Sequence, residues 1–260
     1  MFKKLFPIFL LFVIIFLSGC GKEKKLNQYE KIVERDKLIV GVKSDSKPFG
    51  YIDMNSLEIV GFDVDIAKRI AKDILGDENK IQLIPVTPEN RIETLTSGKV
   101  DIVVATMSIT KQRQEVIDFS EPYYFAGQSA AVLSGGKVQS YSDLNNKKVL
   151  VVLGTTAASD IKKTIPGAFI VGYKNYTELF DSFKNSRGDA AATDDAILAG
   201  FVMDNPDYKI LNPRLTIEPY GVGIRKGQDN AALKYAVNRT ISAMKSDGSI
   251  NALKQKWFVY

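Results

Sequence analysis

Residues Thr106 to Arg113 follow an apolar run, Val100–Ala105. They bring together hydroxyl groups, the free backbone N–H groups of a helix start, and a guanidinium one turn in. Helix N-termini attract anions, and the arginine fork matches a carboxylate bidentately. The chemistry on offer at Ser108 and Arg113 is therefore carboxylate capture. The alternative is that Arg113 is a solvated helix residue. A second pair, Asp194-Asp195, follows the apolar run that ends at Thr193. A carboxylate there can hold an ammonium or cap the next helix, and adjacent aspartates allow both.

Other chemistry is excluded by counts. The 260 residues contain no histidine. His acid–base catalysis, Ser–His and Cys–His nucleophiles and His metal sites are all ruled out. A single cysteine, Cys20, excludes an intrachain disulfide and a Cys-rich zinc site. No phosphate-loop phrase occurs, and the acidic residues lack metal-ligand spacing. No metal or nucleotide cofactor is expected.

The elements that must position these groups alternate. Leu38–Val42, Ile81–Ile84 and Val100–Ala105 read as buried strands. Between them lie a helix with Ile66, Ala67, Ile70, Ala71 and Ile74 on one face, ended by Gly76, and a short helix over Arg91–Thr96 with Asn90 as candidate N-cap. Thr110 is a candidate N-cap for a helix over 111–117. The middle repeats the logic, with strands at 148–153, 169–173 and 190–193 and helices at 157–164, 177–184 and 196–202. Ser97-Gly98-Lys99-Val100-Asp101 is echoed by Ser186-Arg187-Gly188-Asp189-Ala190. A β-α-β-α-β order argues for an α/β fold with mainly parallel sheets, and the echo hints at two similar lobes. Trp257, near the end of a helical tail, is read as packing.

The N-terminus carries an address. Lys3 and Lys4 precede 13 uncharged, mostly apolar residues, Leu5 to Leu17, and then Ser18-Gly19-Cys20. The run is too short to span a bilayer comfortably, which takes roughly 17–25 residues. It fits a signal segment with a small-residue cleavage site. Leu17-Ser18-Gly19-Cys20 resembles a bacterial lipobox, which implies cleavage before Cys20 and lipidation of its sulfur. Without residues 1–19 the chain has 241 residues and a net charge of +3. Lys22, Lys24 and Lys25 sit beside the anchor and read as a solvated tether over 20–36, not a nucleic-acid patch.

A family resemblance runs through nearly all of residues 37–258. Gly61-Phe62-Asp63-Val64-Asp65, Val100-Asp101, Ser108-Ile109-Thr110 with Arg113, and Asp118-Phe119-Ser120-Glu121-Pro122-Tyr123-Tyr124 carry it. Gly154-Thr155-Thr156, Gly188-Asp189-Ala190, Asp194 and Glu218-Pro219-Tyr220-Gly221 continue it. This ordered set resembles the polar-amino-acid solute-binding proteins of bacterial ABC importers. The resemblance implies a two-lobed periplasmic-binding-protein-like fold (type II) with the ligand between the lobes. Lobe 1 would be 37–122 plus 223–260 and lobe 2 would be 128–217. The hinges would fall near 123–127 and 218–222. It implies a monomer tethered outside the cytoplasm, at the outer face or in the periplasm. The closed form would deliver its amino acid to the permease and ATPase of an importer.

By the same resemblance Arg113 grips the α-carboxylate with Ser108, and the Thr106 carbonyl and Asp194 take the ammonium. Thr155 or Thr156 closes on the carboxylate from lobe 2. Phe49 and Tyr51 are placed near the aromatic cleft wall, with lobe packing the alternative. Asn90-Arg91 resembles a phrase of glutamate and aspartate receptors whose Arg takes the distal carboxylate. Lys43, ending the first strand, would help or else be a solvated rim residue. Two cations would favour glutamate or aspartate, with glutamine next, because unpaired buried charge is costly. Two rival readings are a cyclic-acid dehydratase, with Asp195 or Glu121 as the acid it would need, and a non-transport sensor or adhesin.

Overall fold

The computed structural model describes residues 25–259. The signal segment and Cys20 lie outside the described residues. Two five-stranded sheets dominate. One runs Ile81–Pro85, Leu38–Val42, Ile102–Val104, Gly223–Arg225, Ile117–Phe119; the other runs Phe169–Tyr173, Lys148–Val152, Ala190–Asp194, Gln128–Leu133, Tyr208–Ile210. In each, the first three strands are parallel and the fourth runs against its two neighbours. The lobes therefore share one topology. The chain passes between them through Tyr124–Ala126 and Glu218–Tyr220, which pair antiparallel with Tyr124 opposite Tyr220.

The sequence echo has a physical meaning. Ile39 N–H donates to Asp101 Oδ2 at 2.7 Å, and Asp101 N–H returns to the Ile39 carbonyl at 2.8 Å. Lys148 N–H donates to Asp189 Oδ2 at 2.9 Å, and Asp189 N–H returns to the Lys148 carbonyl at 2.8 Å. At a strand's first residues the backbone N–H groups have no partner within the ladder, and an unpaired buried amide is costly. An aspartate entering the neighbouring parallel strand supplies the acceptor in both lobes.

Helix Phe62–Leu75 buries Ile66, Ala67, Ile70 and Ala71 against the first sheet and ends at Gly76 with φ +78°. Each of the two isoleucines contributes about 1.5–3 kcal/mol on full burial, and each alanine methyl less. Asp63 lies on that same stripe and is fully buried. The tail helices Ala231–Ser246 and Ser249–Trp257 complete the first lobe, and Arg69 reaches Asp247 at 3.1 Å and Ser249 at 3.2 Å.

Two local expectations are corrected. The polar tether does not extend to residue 36, because Gln28–Arg35 is a helix with an Asn27–Glu30 capping box. Ile32 is buried in the first lobe, and Gln28 and Arg35 both bond Asp101. These side chains recur at helical spacing on one face, so the segment docks. Asn90 is not a side-chain cap for Arg91–Thr96. Its Oδ1 accepts Thr87 N–H at 2.9 Å, closing the preceding turn instead.

Candidate ligand-binding site

In both lobes the carboxyl ends of the parallel strands face the other lobe. They enclose a cavity with about 210 Å³ of atom-free space. Arg91, Thr106, Ser108 and Arg113 line it from the first lobe, and Thr155, Thr156, Tyr176 and Asp194 from the second. Seven of these eight were expected from sequence; Tyr176 was not.

Arg113 is placed by a capped turn. Thr110 Oγ1 accepts the Arg113 N–H at 3.2 Å and starts helix Lys111–Val116. The guanidinium donates to the Ser108 carbonyl at 2.8 Å and to the Gly154 carbonyl, across the cleft, at 3.0 Å. Burial lowers the Arg113 pKa, against the pull of Glu218 and Asp194. Gly154 has φ +77°, and a Cβ there would lie 2.6 Å from the backbone N of Glu89 in the first lobe. Gly154→Ala is therefore expected to add about 1–2 kcal/mol of backbone strain. It should also obstruct closure, so calorimetry should show affinity reduced about tenfold or more. An unchanged dissociation constant would mean that this approach does not accompany binding.

Behind the cavity lies a buried network. Thr106 has φ +45°, which is an outlier for a β-branched residue. Two groups hold it there. Its N–H donates to Asp63 Oδ2 at 2.7 Å, and its carbonyl accepts from Arg91 at 3.3 Å. Arg91 also donates to the Ala105 carbonyl at 2.6 Å, and its Nε has no partner among the described residues. Tyr123 Oη donates to Asp63 Oδ1 at 3.0 Å. Burial pushes the Asp63 carboxyl up to about 7, opposed by these two bonds and by the Arg91 charge. Burial also lowers the Arg91 pKa, and the Arg113 charge lowers it further.

Asp194 is 5% exposed, and its side chain caps nothing. Gln128 Nε2 donates to its Oδ1 at 2.5 Å, and Tyr220 Oη donates to its Oδ2. Burial raises its pKa to about 7, against the pull of the Tyr220 bond. Asp195 takes the helix-start role, accepting Ala196 N–H at 2.9 Å and Gly127 N–H at 3.1 Å. Thr155 Oγ1 donates to the Val152 carbonyl at 2.7 Å, which shapes the turn before helix Ala157–Thr164.

Three expected residues lie elsewhere. Lys43 does not line the cavity, and at 1% exposure it is no solvated rim residue. Its Nζ pairs with Asp45 at 2.8 Å and sits 5.4 Å from the Tyr176 ring. Asp45 in turn accepts Tyr176 N–H from the second lobe at 2.8 Å. Phe49 packs edge-on against Phe62, Tyr124, Tyr220 and Phe258 beside the crossing strands, not in the cavity wall. Tyr51 meets Trp257, whose Nε1 donates to Asp65 at 2.8 Å. Sequence reasoning missed Gln128, Tyr176 and Tyr220, whose partners lie far along the chain. Asp63 had a readable signal, since it shares the apolar stripe of Ile66 and Ile70.

Residues 38–260 match the model of bacterial extracellular solute-binding proteins, family 3. The chain belongs to that family. It is 42% identical over 267 residues to the ABC transporter glutamine-binding protein GlnH of Bacillus subtilis (strain 168), covering 98% of this chain and 97% of the relative. It is 43% identical over 205 residues to the glutamine-binding protein of Geobacillus stearothermophilus, covering 78% of each. The cysteine-binding protein of Campylobacter jejuni superposes with a TM-score of 0.85 at 33% identity, covering 90% of this chain and 94% of that one. These family 3 relatives are named as binding proteins, not enzymes. The family's two-lobed type II fold is the one described above.

Proposed function

We propose that this solute-binding protein takes up an α-amino acid between its lobes, with glutamine as the preferred ligand, and hands it to an ABC importer. The charge inventory of the cleft carries this reading. Lys43 is committed to Asp45. Arg91 is buried near Asp63, whose charged form it favours. Arg113 and Asp194 remain for the ligand's α-carboxylate and α-ammonium, with Ser108, Thr155, Thr156 and the Thr106 carbonyl completing the polar contacts. A ligand whose side chain is polar but neutral leaves no buried charge unmatched. The Arg91 Nε is a free donor for a side-chain carbonyl oxygen. The glutamine-binding names of the two relatives above support the same choice.

Lobe 1 (37–122 with 223–260) and lobe 2 (128–217) would rotate about 123–127 and 218–222. Closure would bring Arg113 onto Gly154 and Asp45 onto Tyr176. The signal segment would direct export and be removed, and a lipid on Cys20 would hold the monomer at the outer face or in the periplasm. Cys20→Ser is the direct check: soluble protein that still binds is expected.

Glutamate is the second reading, because Arg91 lines the cavity and has an unpartnered nitrogen. Thermal unfolding of ligand-stripped protein against all twenty amino acids separates the two. Ligand at a hundred times its dissociation constant adds about 2.7 kcal/mol, or several degrees for a chain of this size. Glutamine is expected to give the largest shift, with glutamate at least about tenfold weaker by calorimetry. A larger shift with glutamate would overturn the neutral-side-chain argument. No shift with any amino acid would remove the receptor reading.

A further inference from the structure

We propose that Gln128, by donating to the Asp194 carboxylate while anchored on the Thr156 hydroxyl, is the positioning residue that favours the charged form of Asp194 for ammonium capture. The inference rests on Asp194 being the ammonium partner, as proposed above.

Gln128 opens the strand Gln128–Leu133, one residue beyond the crossing strand Tyr124–Ala126. Ladder register sets it opposite Asp194. Its backbone is pinned on both sides, since its N–H donates to Thr216 Oγ1 at 3.0 Å and its carbonyl accepts Leu215 N–H at 2.7 Å. The side chain is 1% exposed. Its amide nitrogen donates twice, to Asp194 Oδ1 at 2.5 Å and to Thr156 Oγ1 at 3.0 Å. Its oxygen, Oε1, is buried without a partner among the described residues.

That orphan oxygen fixes the orientation. Turned over, the amide would set oxygen against the Asp194 carboxylate and lose that bond, since a carboxylate oxygen cannot donate. Leaving Oε1 unpaired costs about 1–3 kcal/mol. The arrangement accepts that cost to keep an N–H on the aspartate. Donation to a carboxylate stabilises its charged form. The groups around Asp194 pull in both directions. Tyr220 Oη also donates to it, Arg91 and Arg113 attract its charge, and Glu218 and Asp195 oppose it, while Tyr176 stays neutral with its pKa raised. With burial holding the carboxyl near 7, the Gln128 donor has leverage at neutral pH.

The test is the dissociation constant of L-glutamine, or of L-glutamate if that gives the larger thermal shift, between about pH 5.5 and 8.5 for four folded proteins. These are wild type, Gln128→Met, Gln128→Asn and Asp194→Asn. Methionine matches the shape of glutamine without the donor. Asparagine keeps the amide one methylene too short, and decides the matter if the methionine variant fails to fold. An ammonium needs an ionised partner, so wild-type affinity should weaken as pH falls through about 7. Without the donor this acid limb should move up by about one pH unit. That costs about fivefold in affinity at pH 7, approaching tenfold at pH 5.5, and less than about threefold at pH 8.5. A positional role that did not act on the Asp194 charge would lower affinity equally at every pH. An equal loss at every pH, or none, overturns the proposal. Asp194→Asn binding like wild type would instead overturn the ammonium reading on which it rests.

Discussion

Arg113→Ala is expected to abolish amino-acid binding at concentrations that saturate the wild type, while the variant still folds. The expected loss is about 2–5 kcal/mol, typical of removing one partner from a desolvated charge pair. In calorimetry that is roughly thirtyfold to several thousandfold. The free protein loses only the bonds to the Ser108 and Gly154 carbonyls, worth about 1–3 kcal/mol together. Arg113→Lys should recover little, since an ammonium cannot reproduce a planar fork aimed at a carboxylate. Near-normal affinity in the alanine variant would leave the guanidinium as a strut between the lobes and remove it from the ligand.

Arg91→Met is expected to strike the fold as hard as Arg113→Ala strikes binding. It strands Asp63 without its nearby cation and removes the donor from the Ala105 and strained Thr106 carbonyls. Leaving those two buried carbonyls without their donor costs about 1–3 kcal/mol each, apart from the effect on the Asp63 charge. The deficit should depend on pH. Asp63 already has a folded pKa raised to about 7 by burial. A raised folded pKa contributes stability that is present below the unfolded value and lost as pH rises through the folded one. Without Arg91 that folded pKa rises further, so the loss should be larger at pH 8 than at pH 5. Urea midpoints at the two pH values measure this. Adding Asp63→Asn should recover part of the loss at pH 8. A deficit independent of pH would dissociate Arg91 from Asp63.

The parts of this fold that sequence reveals are those written in short-range period. The stripe through Ile66 and Ile70, the glycine ending its helix and the Thr110 cap are all local statements, and they are found where their spacing places them. The paired phrases around Gly98 to Asp101 and Gly188-Asp189 are legible as an echo because the same strand-entry problem is solved twice. The Asn90 cap and the long tether were misread for local reasons as well. A turn took the asparagine, and one buried isoleucine was enough to dock the helix. The site divided along another line. Asp194 ends its strand and Arg113 lies in the helix that follows Ile102–Val104, at the carboxyl ends where α/β sheets place ligands. Gln128 reaches an aspartate 66 residues away and Tyr220 reaches the same one from 26 residues away, and no periodicity encodes either meeting. The partners of Lys43 come from the short strand Asp45–Ser46 and from the opposite lobe, which no local pattern reveals.

The shared strand order of the lobes hides an asymmetry in time. The second sheet is built from one continuous stretch, residues 128–210. The first needs Gly223–Arg225 threaded between Ile102–Val104 and Ile117–Phe119. A chain emerging from its N-terminus can complete the second lobe while the first still lacks its fourth strand and the helices that cover it. The last strand to arrive closes a loop of about a hundred residues, which makes its docking the slow, non-local event. Arg113 precedes that strand and Asp194 is already set by then. The final step of folding is thus also the step that first creates a cleft with two walls.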